Sequence, residues 1–424
     1  MFLQTRRETL VFSLYTCIIN LKYLINVIMC YDLKQSPMFN LSMASKELFH
    51  SNMLYWISQT YPKEFMTMLN LLNIDTSQWP GKWESHREKD NIDLSVTTKN
   101  SDSSKEQYLF ILENKVKSIP FKSQLDKYKQ ETVSGDKIQY LLLSLCTKFA
   151  NEKEIRNSGW EIANYSDLAT AIDKIIKKVQ NTYHRELLND YSSYIKQFHQ
   201  MQERWTLNLD DNYRSAIVDA DEDIKQLNDV KKKLLVSKMA QYLLEKIPGA
   251  ILAGNKEIEI KKKGKTPIPE EIKNGKVFIN FGMTRSTGLV DLKVRVKDNL
   301  FQIIQVQGKQ FKHCVEVLDK ESEEMKVINS LEDYLKKGAN NPQLPSNEVA
   351  KRIIENQFLP FHLERIDSSV LIESKSREPF NHYGRTFIYQ YLNIRDDATV
   401  RSVLDKIIVH VNSIVENIKK SKTK

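Results

Sequence analysis

The amino-acid sequence predicts a mixed α/β protein, and three observations carry that reading. Through residue 145 the local patterns run helix, three strands, helix, strand, the order of a mixed α/β sandwich. One of those strands, "NIDLSVTTK", alternates cleanly, with Ile92, Leu94 and Val96 opposite Asp93, Ser95 and Thr97. From Val277 a second strand-rich stretch begins and closes on an amphipathic helix, which predicts an α+β unit of its own. With 424 residues, of which 41% are hydrophobic and 28% charged, the chain has length for two or three domains and too much apolar content for a disordered one.

The first element is ambiguous. Residues 10 to 31, "LVFSLYTCIINLKYLINVIMCY", form a run long enough to span a bilayer. Lys22 sits near its middle, where a lysine costs roughly 2.5–3.5 kcal/mol on insertion scales, and Asn20 and Asn26 add polar load. No small-residue cleavage site follows. The readings preferred over a membrane span are an appended helix or a translation start at Met38 or Met43, so residues 1–37 are set apart as a hydrophobic extension.

A first domain is expected over residues 38–183. It opens with a helix from about Ser42 to Ser58, with Phe49, Met53, Trp56 and Ile57 as its apolar stripe, and a second short helix. After the turn-rich "SQWPGKWE" comes a weak strand signal, "WESHREK", then "NIDLSVTTK". The polar "KNSDSSKEQ" makes a hairpin connection to "YLFILENKV", residues 108 to 116. "SIPFKSQLDKYKQETV" reads as a helix, Pro120 being tolerated in its first turn. "IQYLLLSL" is the continuous apolar run of a strand covered on both faces. "GWEIANYSDLATAIDKIIKKV" predicts one more short strand and an amphipathic helix. Residues 184–265 read as a charged, helical connecting region whose helices stop at Pro248-Gly249. Residues 266–424 form the C-terminal α+β domain. Its strands are "VFINFG", "GLVDLKVRVK", "LFQIIQVQG" and "RTFIYQYLNI", a helical segment lies near 345–357, and a closing helix carries Val400, Val403, Leu404, Ile407, Val411, Ile414 and Ile418 on one stripe.

The formal net charge of +9 fits a polyanionic partner without establishing one. The lysine runs at 231–233 and 261–265 read first as solvated faces and second as phosphate contacts. Cys17, Cys30, Cys146 and Cys314 form no CxxC pair and stand at no zinc-ligand spacing to a histidine, which favours a reducing, intracellular compartment. No spacing suggests Ser-His-Asp or Cys-His catalysis. His50 reads as a packing or surface histidine before it reads as a general base.

The candidate chemistry lies at the end of "YLFILENKV". Side chains alternate across a strand, so Glu113 and Lys115 share a face with Leu109 and Ile111. Asp93 stands twenty positions earlier on the neighbouring strand of the expected hairpin. Cross-strand neighbours lie about 5 Å apart, so Asp93 and Glu113 can meet. Two carboxylates at one point repel unless a proton or a cation sits between them. An all-oxygen donor set suits Mg²⁺ or Mn²⁺. Lys115 sits one pleat along, roughly 6.6 Å away by strand rise. The plainer reading of the same three residues is a structural triad on an amphipathic strand.

An Asp on one strand, Glu-x-Lys on the next and a helix after it is similar to the core of the PD-(D/E)XK nuclease superfamily. The residues here are "NIDLSV" and "LENKV". The following "QLDKY" resembles the Q-x-x-x-Y element of the superfamily's exonuclease branch, and Gln124 and Tyr128, four apart, share a helix face. "KELFHSNMLYWI" resembles the family's first helix, in which Glu47 matches an acid near the metal. The likeness covers about residues 40 to 180, including "NYSDLATAI", and looks closest to a poorly characterised bacterial branch with an extra C-terminal domain. Ile92 stands where the family commonly carries proline.

The resemblance implies a restriction-endonuclease-like core, a mixed sheet flanked by helices. It implies a Mg²⁺-dependent (alternatively Mn²⁺-dependent) hydrolase of phosphodiester bonds, with DNA as the first-choice substrate, acting in the cytoplasm. Asp93 and Glu113, joined by Glu47, would ligate the metal. Lys115 would orient the attacking water or stabilise the transition state, Gln124 would position the metal site or the substrate backbone, and Tyr128 would support it. Two rivals stay open. One is a nuclease-fold protein without turnover that serves as a nucleic-acid or protein binding module. The other is an interaction protein attached to a membrane through residues 10 to 31.

Overall fold

The computed structural model describes residues 36–42, 47–99, 106–116, 122–132, 138–146, 152–219, 227–253, 275–284, 286–336, 344–359, 368–372 and 381–420. The hydrophobic run at 10–31, the polar link after "NIDLSVTTK", Pro120 and most of the connector before Val277 lie outside the described residues. Among the described residues no helix is long and apolar enough to cross a membrane.

Three helices, α1 (Pro37–Ser42), α2 (Glu47–Thr60) and α3 (Pro62–Leu71), precede a five-stranded sheet. Its strands are β1 (Glu84–Lys89), β2 (Ile92–Lys99), β3 (Glu106–Lys115), β4 (Gln139–Ser144) and β5 (Trp160–Asn164), in that spatial order. β1 and β2 close through Asp90 and Asn91, both at positive φ (56° and 60°), a conformation that Asp and Asn tolerate in two-residue hairpin turns. β2 and β3 are antiparallel, and a bulge between Val96 and Thr97 shifts their register. β3–β4 and β4–β5 are parallel, the pairing that needs crossovers. α4 (Lys122–Glu131) and α5 (Glu152–Asn157) lie in those crossovers. Leu141, Leu142 and Leu143 of β4 are all buried, which accounts for its unbroken apolar run.

α6 (Tyr165–Ile176) starts directly off β5. Asn164 caps it, accepting from the Ser166 and Asp167 N–H groups while Asp167 accepts from the Asn164 N–H, a reciprocal box. α7 (Thr182–Arg204) packs along α6, and α2 lies across β1, β2 and β3. The buried side of α2 is His50, Ser51, Leu54, Ile57 and Ser58. The expected stripe is therefore turned: Ile57 is buried, but Phe49, Met53 and Trp56 are only half-buried. The polar residues go inward because partners wait there, Ser85 for Ser58 (2.6 Å) and Tyr191 of α7 for His50 (3.0 Å).

The second half is built on a larger sheet. A π-helical turn (Arg214–Val218) and α8 (Asn228–Lys246) lead to β6 (Ile251–Leu252), β7 (Val277–Thr284), β8 (Thr287–Lys297), β9 (Leu300–Gln307) and β10 (Gln310–Val317). α9 (Met325–Lys336) and α10 (Glu348–Ile353) follow, the latter running into a second π-helical turn at Ile354–Phe358. The short β11 (Leu371–Ile372) and β12 (Asn381–His382), then β13 (Phe387–Ile394) and α11 (Val400–Lys420), complete the chain. The order is β11-β13-β10-β9-β8-β7-β6, with β7 to β10 an antiparallel meander and β12 paired to β13. α8 covers β7 and β8, and α11 covers β8 and β9. The α11 stripe from Val400 to Ile418 is buried at every position named from the sequence.

Several elements were not read from the sequence, α1, α5, β6, β10 and α9 among them. β10, "QFKHCVEV", pairs with β9 and β13 on its two sides, yet Lys312 and His313 mask its alternation. α9 was not expected either. One contiguous apolar core runs from the first sheet through α6, α7 and α8 to the inner face of the second sheet and α11.

Candidate active site

The β2–β3 register places Asp93 and Glu113 together: each lies one residue beyond the Leu94–Leu112 pair. The Asn114 N–H donates to Asp93 Oδ2 at 2.6 Å, so the two strand ends stay locked where the ladder stops. Glu113 is 3% exposed. Its Oε1 meets the Lys115 ammonium at 2.6 Å and accepts from Gln124 Nε2 at 2.8 Å. The separation along the strand is thus bridged by the Lys115 side chain folding back. Gln124 also donates to the Tyr128 hydroxyl (3.3 Å), which itself donates to the Asn91 carbonyl (3.1 Å). α4 is pinned in this way to the β1–β2 turn, and Gln124 is held over Glu113.

Glu47 enters from the first turn of α2. Its Oε1 accepts from the Val116 N–H at 3.1 Å, just past the end of β3. Asn114, between the acid and the base, was not singled out from the sequence. Its carboxamide donates to the Glu47 carbonyl (2.9 Å) and accepts from the Tyr165 hydroxyl (2.6 Å). One buried side chain therefore ties α2, β3 and α6 together behind the cluster. No sequence spacing signals this, because the three partners come from separate elements. His50, one turn along α2, is a packing residue: it touches the rings of Tyr165 (4.8 Å) and Tyr194 (5.8 Å), and burial lowers its pKa to about 3.

All six residues named from the sequence, Glu47, Asp93, Glu113, Lys115, Gln124 and Tyr128, converge on this end of the sheet. The electrostatics show mutual strain among the acids. Burial, and after it the Glu113 carboxylate, push the Asp93 carboxyl up to about 7, against the pull of the Asn114 N–H and Lys115. Burial disfavours the Lys115 ammonium, but Glu113, Glu47 and Asp93 outweigh it and raise its pKa, so Lys115 stays charged. Burial and the Glu113 charge raise the Tyr128 hydroxyl well above its ordinary value, so it stays a neutral donor. Crowded carboxylates with one ammonium fit a hard divalent cation, for which Asp93, Glu113 and Glu47 could supply oxygens. The set is not pre-closed. Among the described residues the group whose ligand atoms all lie within 4.8 Å of one another is a different one, Glu84, His86 and Glu106.

That second group sits toward the other end of β2, where Thr97 and Lys99 pair with Glu84 and Glu106. His86 Nε2 is 2.8 Å from the Thr97 hydroxyl, and Glu106 pairs with Lys89. Glu84 and His86 share a face at two-residue spacing, which the sequence displays; the third member comes from β3 and needs the register.

Comparison with known proteins agrees with this architecture. Residues 73–199 match the family model described as PD-(D/E)XK nuclease superfamily, a span that holds β1 to β5, α4 and Asp93 to Tyr128 but not Glu47. No curated protein and no solved structure matches the chain. The five-stranded sheet with its flanking helices lies in the segment that is similar to the PD-(D/E)XK nuclease superfamily, and it has the restriction-endonuclease-like fold.

Proposed function

We propose that the protein is a metal-dependent nuclease that hydrolyses phosphodiester bonds of DNA. The observation that carries the reading is the meeting of Asp93, Glu113 and Lys115 at one strand end inside the matched segment. Asp93 and Glu113, with Glu47, are the oxygen donors for Mg²⁺ or Mn²⁺. When bound there, such an ion lowers the pKa of a coordinated water and neutralises charge on the phosphate. Lys115, kept charged by its acidic neighbours, has N–H donors beyond the one spent on Glu113, and these can orient an attacking water or meet charge developing on phosphate. Gln124 fixes the Glu113 rotamer, and Tyr128 holds Gln124 in turn. A cytoplasmic site of action fits this reading.

The test is incubation of purified protein with linear, closed-circular and single-stranded DNA, with and without Mg²⁺. Cleavage is expected with the metal, and Asp93→Ala or Lys115→Ala should each lower it by about 10²–10³-fold or more while circular dichroism stays unchanged. Equal cleavage by wild type and both variants would remove the assignment.

A further inference from the structure

On the face of the second sheet turned away from α8 and α11, the side chains that alternate with Val290, Leu292 and Val294 are charged. Asp291 and Lys293 of β8 are 4% and 5% exposed, and Lys312 of β10 is 6% exposed. They line a cavity of about 770 Å³, within the range of small-ligand sites. Most of its charges are already matched. Lys293 pairs with Glu316 at 2.7 Å, and Gln305 Nε2 donates to Asp291 Oδ1 at 2.7 Å. Arg214, at the rim, is held by Asp219 and Asp396.

Lys312 differs. Its ammonium donates to the Gln307 side-chain carbonyl and lies 4.9 Å from the Tyr389 ring centre, but it meets no carboxylate at ion-pair distance among the described residues. A buried ammonium is costly until an anion reaches it. Burial lowers its pKa, and the nearby Asp291 carboxylate offsets that only in part. Exposed Lys309, in the β9–β10 turn on the same rim, likewise has no ion pair among the described residues. The rings of Tyr383, Phe387 and Tyr389 line the same cavity, Tyr389 against Lys312.

We infer that this cavity binds a nucleoside phosphate, its phosphate on Lys312 and Lys309, its base against the tyrosine and phenylalanine rings, and a base edge read by the Asp291–Gln305 pair. Rings take any π-face, an ammonium outside any ion pair takes phosphate, and a carboxylate–amide pair offers the acceptor and donor that a base edge needs. This inference does not depend on the nuclease reading.

The experiment is calorimetric titration of the full chain in EDTA, which removes divalent ions from the Asp93–Glu113 cluster. The probes are AMP, ADP, ATP, GTP, adenosine, pyrophosphate and a single-stranded pentanucleotide. At least one nucleoside phosphate should bind more tightly than both adenosine and pyrophosphate. Lys312→Met should weaken it about tenfold or more, and the exposed Lys309→Ala should weaken it several-fold with an unchanged melting temperature. If Lys312→Met does not fold, Lys309→Ala and Tyr389→Ala decide. Absence of binding by every nucleoside phosphate, equal binding of pyrophosphate, binding of the pentanucleotide alone, or unaltered affinity in the folded variants overturns the inference.

Discussion

Asp93 couples the candidate site to pH. Its carboxyl rises to about 7 in the folded chain because burial and Glu113 disfavour its charge. The folded state therefore binds more protons than the unfolded state between the ordinary carboxylate pKa and about 7, and stability falls as pH rises through that window. In EDTA, Asp93→Asn should be more stable to denaturant than wild type at pH 8 by on the order of 2 kcal/mol, with the gap closing by pH 4. Mg²⁺ should then raise the wild-type melting temperature at pH 8 and leave that of Asp93→Asn nearly unchanged. A variant no more stable than wild type at pH 8 would show that the Asp93 charge is already compensated. Asn114 is the second residue with a defined cost. Asn114→Ala strands the Tyr165 hydroxyl and the Glu47 carbonyl in a buried place, so chemical denaturation should report a loss of about 1–3 kcal/mol. Tyr165→Phe, which removes one partner and leaves the rest, should cost less.

Among the elements, legibility followed exposure. β2 keeps strict alternation near its start, β4 carries the unbroken run Tyr140 to Leu143, and α11 repeats its stripe over 21 residues, so each was readable from local pattern. β10 was not, because both of its faces carry polar groups: His313 packs against Phe358 on one, and Lys312 enters the charged cavity on the other. The rotated face of α2 has the same cause, since a buried serine or histidine is tolerated only where another element supplies its partner. The contact of α8 with β8 is close enough to require glycine. A Cβ at Gly288 would stand 2.7 Å from Val236 Cγ1. Gly288→Ala should therefore cost about 1–3 kcal/mol in urea unfolding, and Val236→Ala added to it should recover part of that loss. Plain additivity of the two single losses would place the strain elsewhere.

At the scale of the molecule the continuous core makes the two sheets interdependent. All five tryptophans (Trp56, Trp79, Trp83, Trp160 and Trp205) lie in the first 205 residues, whereas Ile407 lies on the buried stripe of α11 in the same core cluster. Ile407→Ala, a core truncation worth about 2–5 kcal/mol, should lower the thermal midpoint reported by tryptophan fluorescence together with that reported by circular dichroism. A tryptophan midpoint held at the wild-type value while the dichroism transition splits would mean that the halves unfold separately.

The sequence by itself determined the strands that flank the candidate site and the helix that follows them, and it put forward Asp93, Glu113 and Lys115 from strand pattern and Gln124 and Tyr128 from the family resemblance as candidates that the fold brings together. It could do so because strand and helix periods place side chains on a face without reference to anything distant. Only the tertiary structure decided that Asn114 joins three elements behind the acids, that Glu84, His86 and Glu106 meet, and that Lys312 lies buried beside aromatic rings without a carboxylate. Those facts depend on which strands become neighbours and in what register, and that choice is made by burial of a core that runs through both sheets.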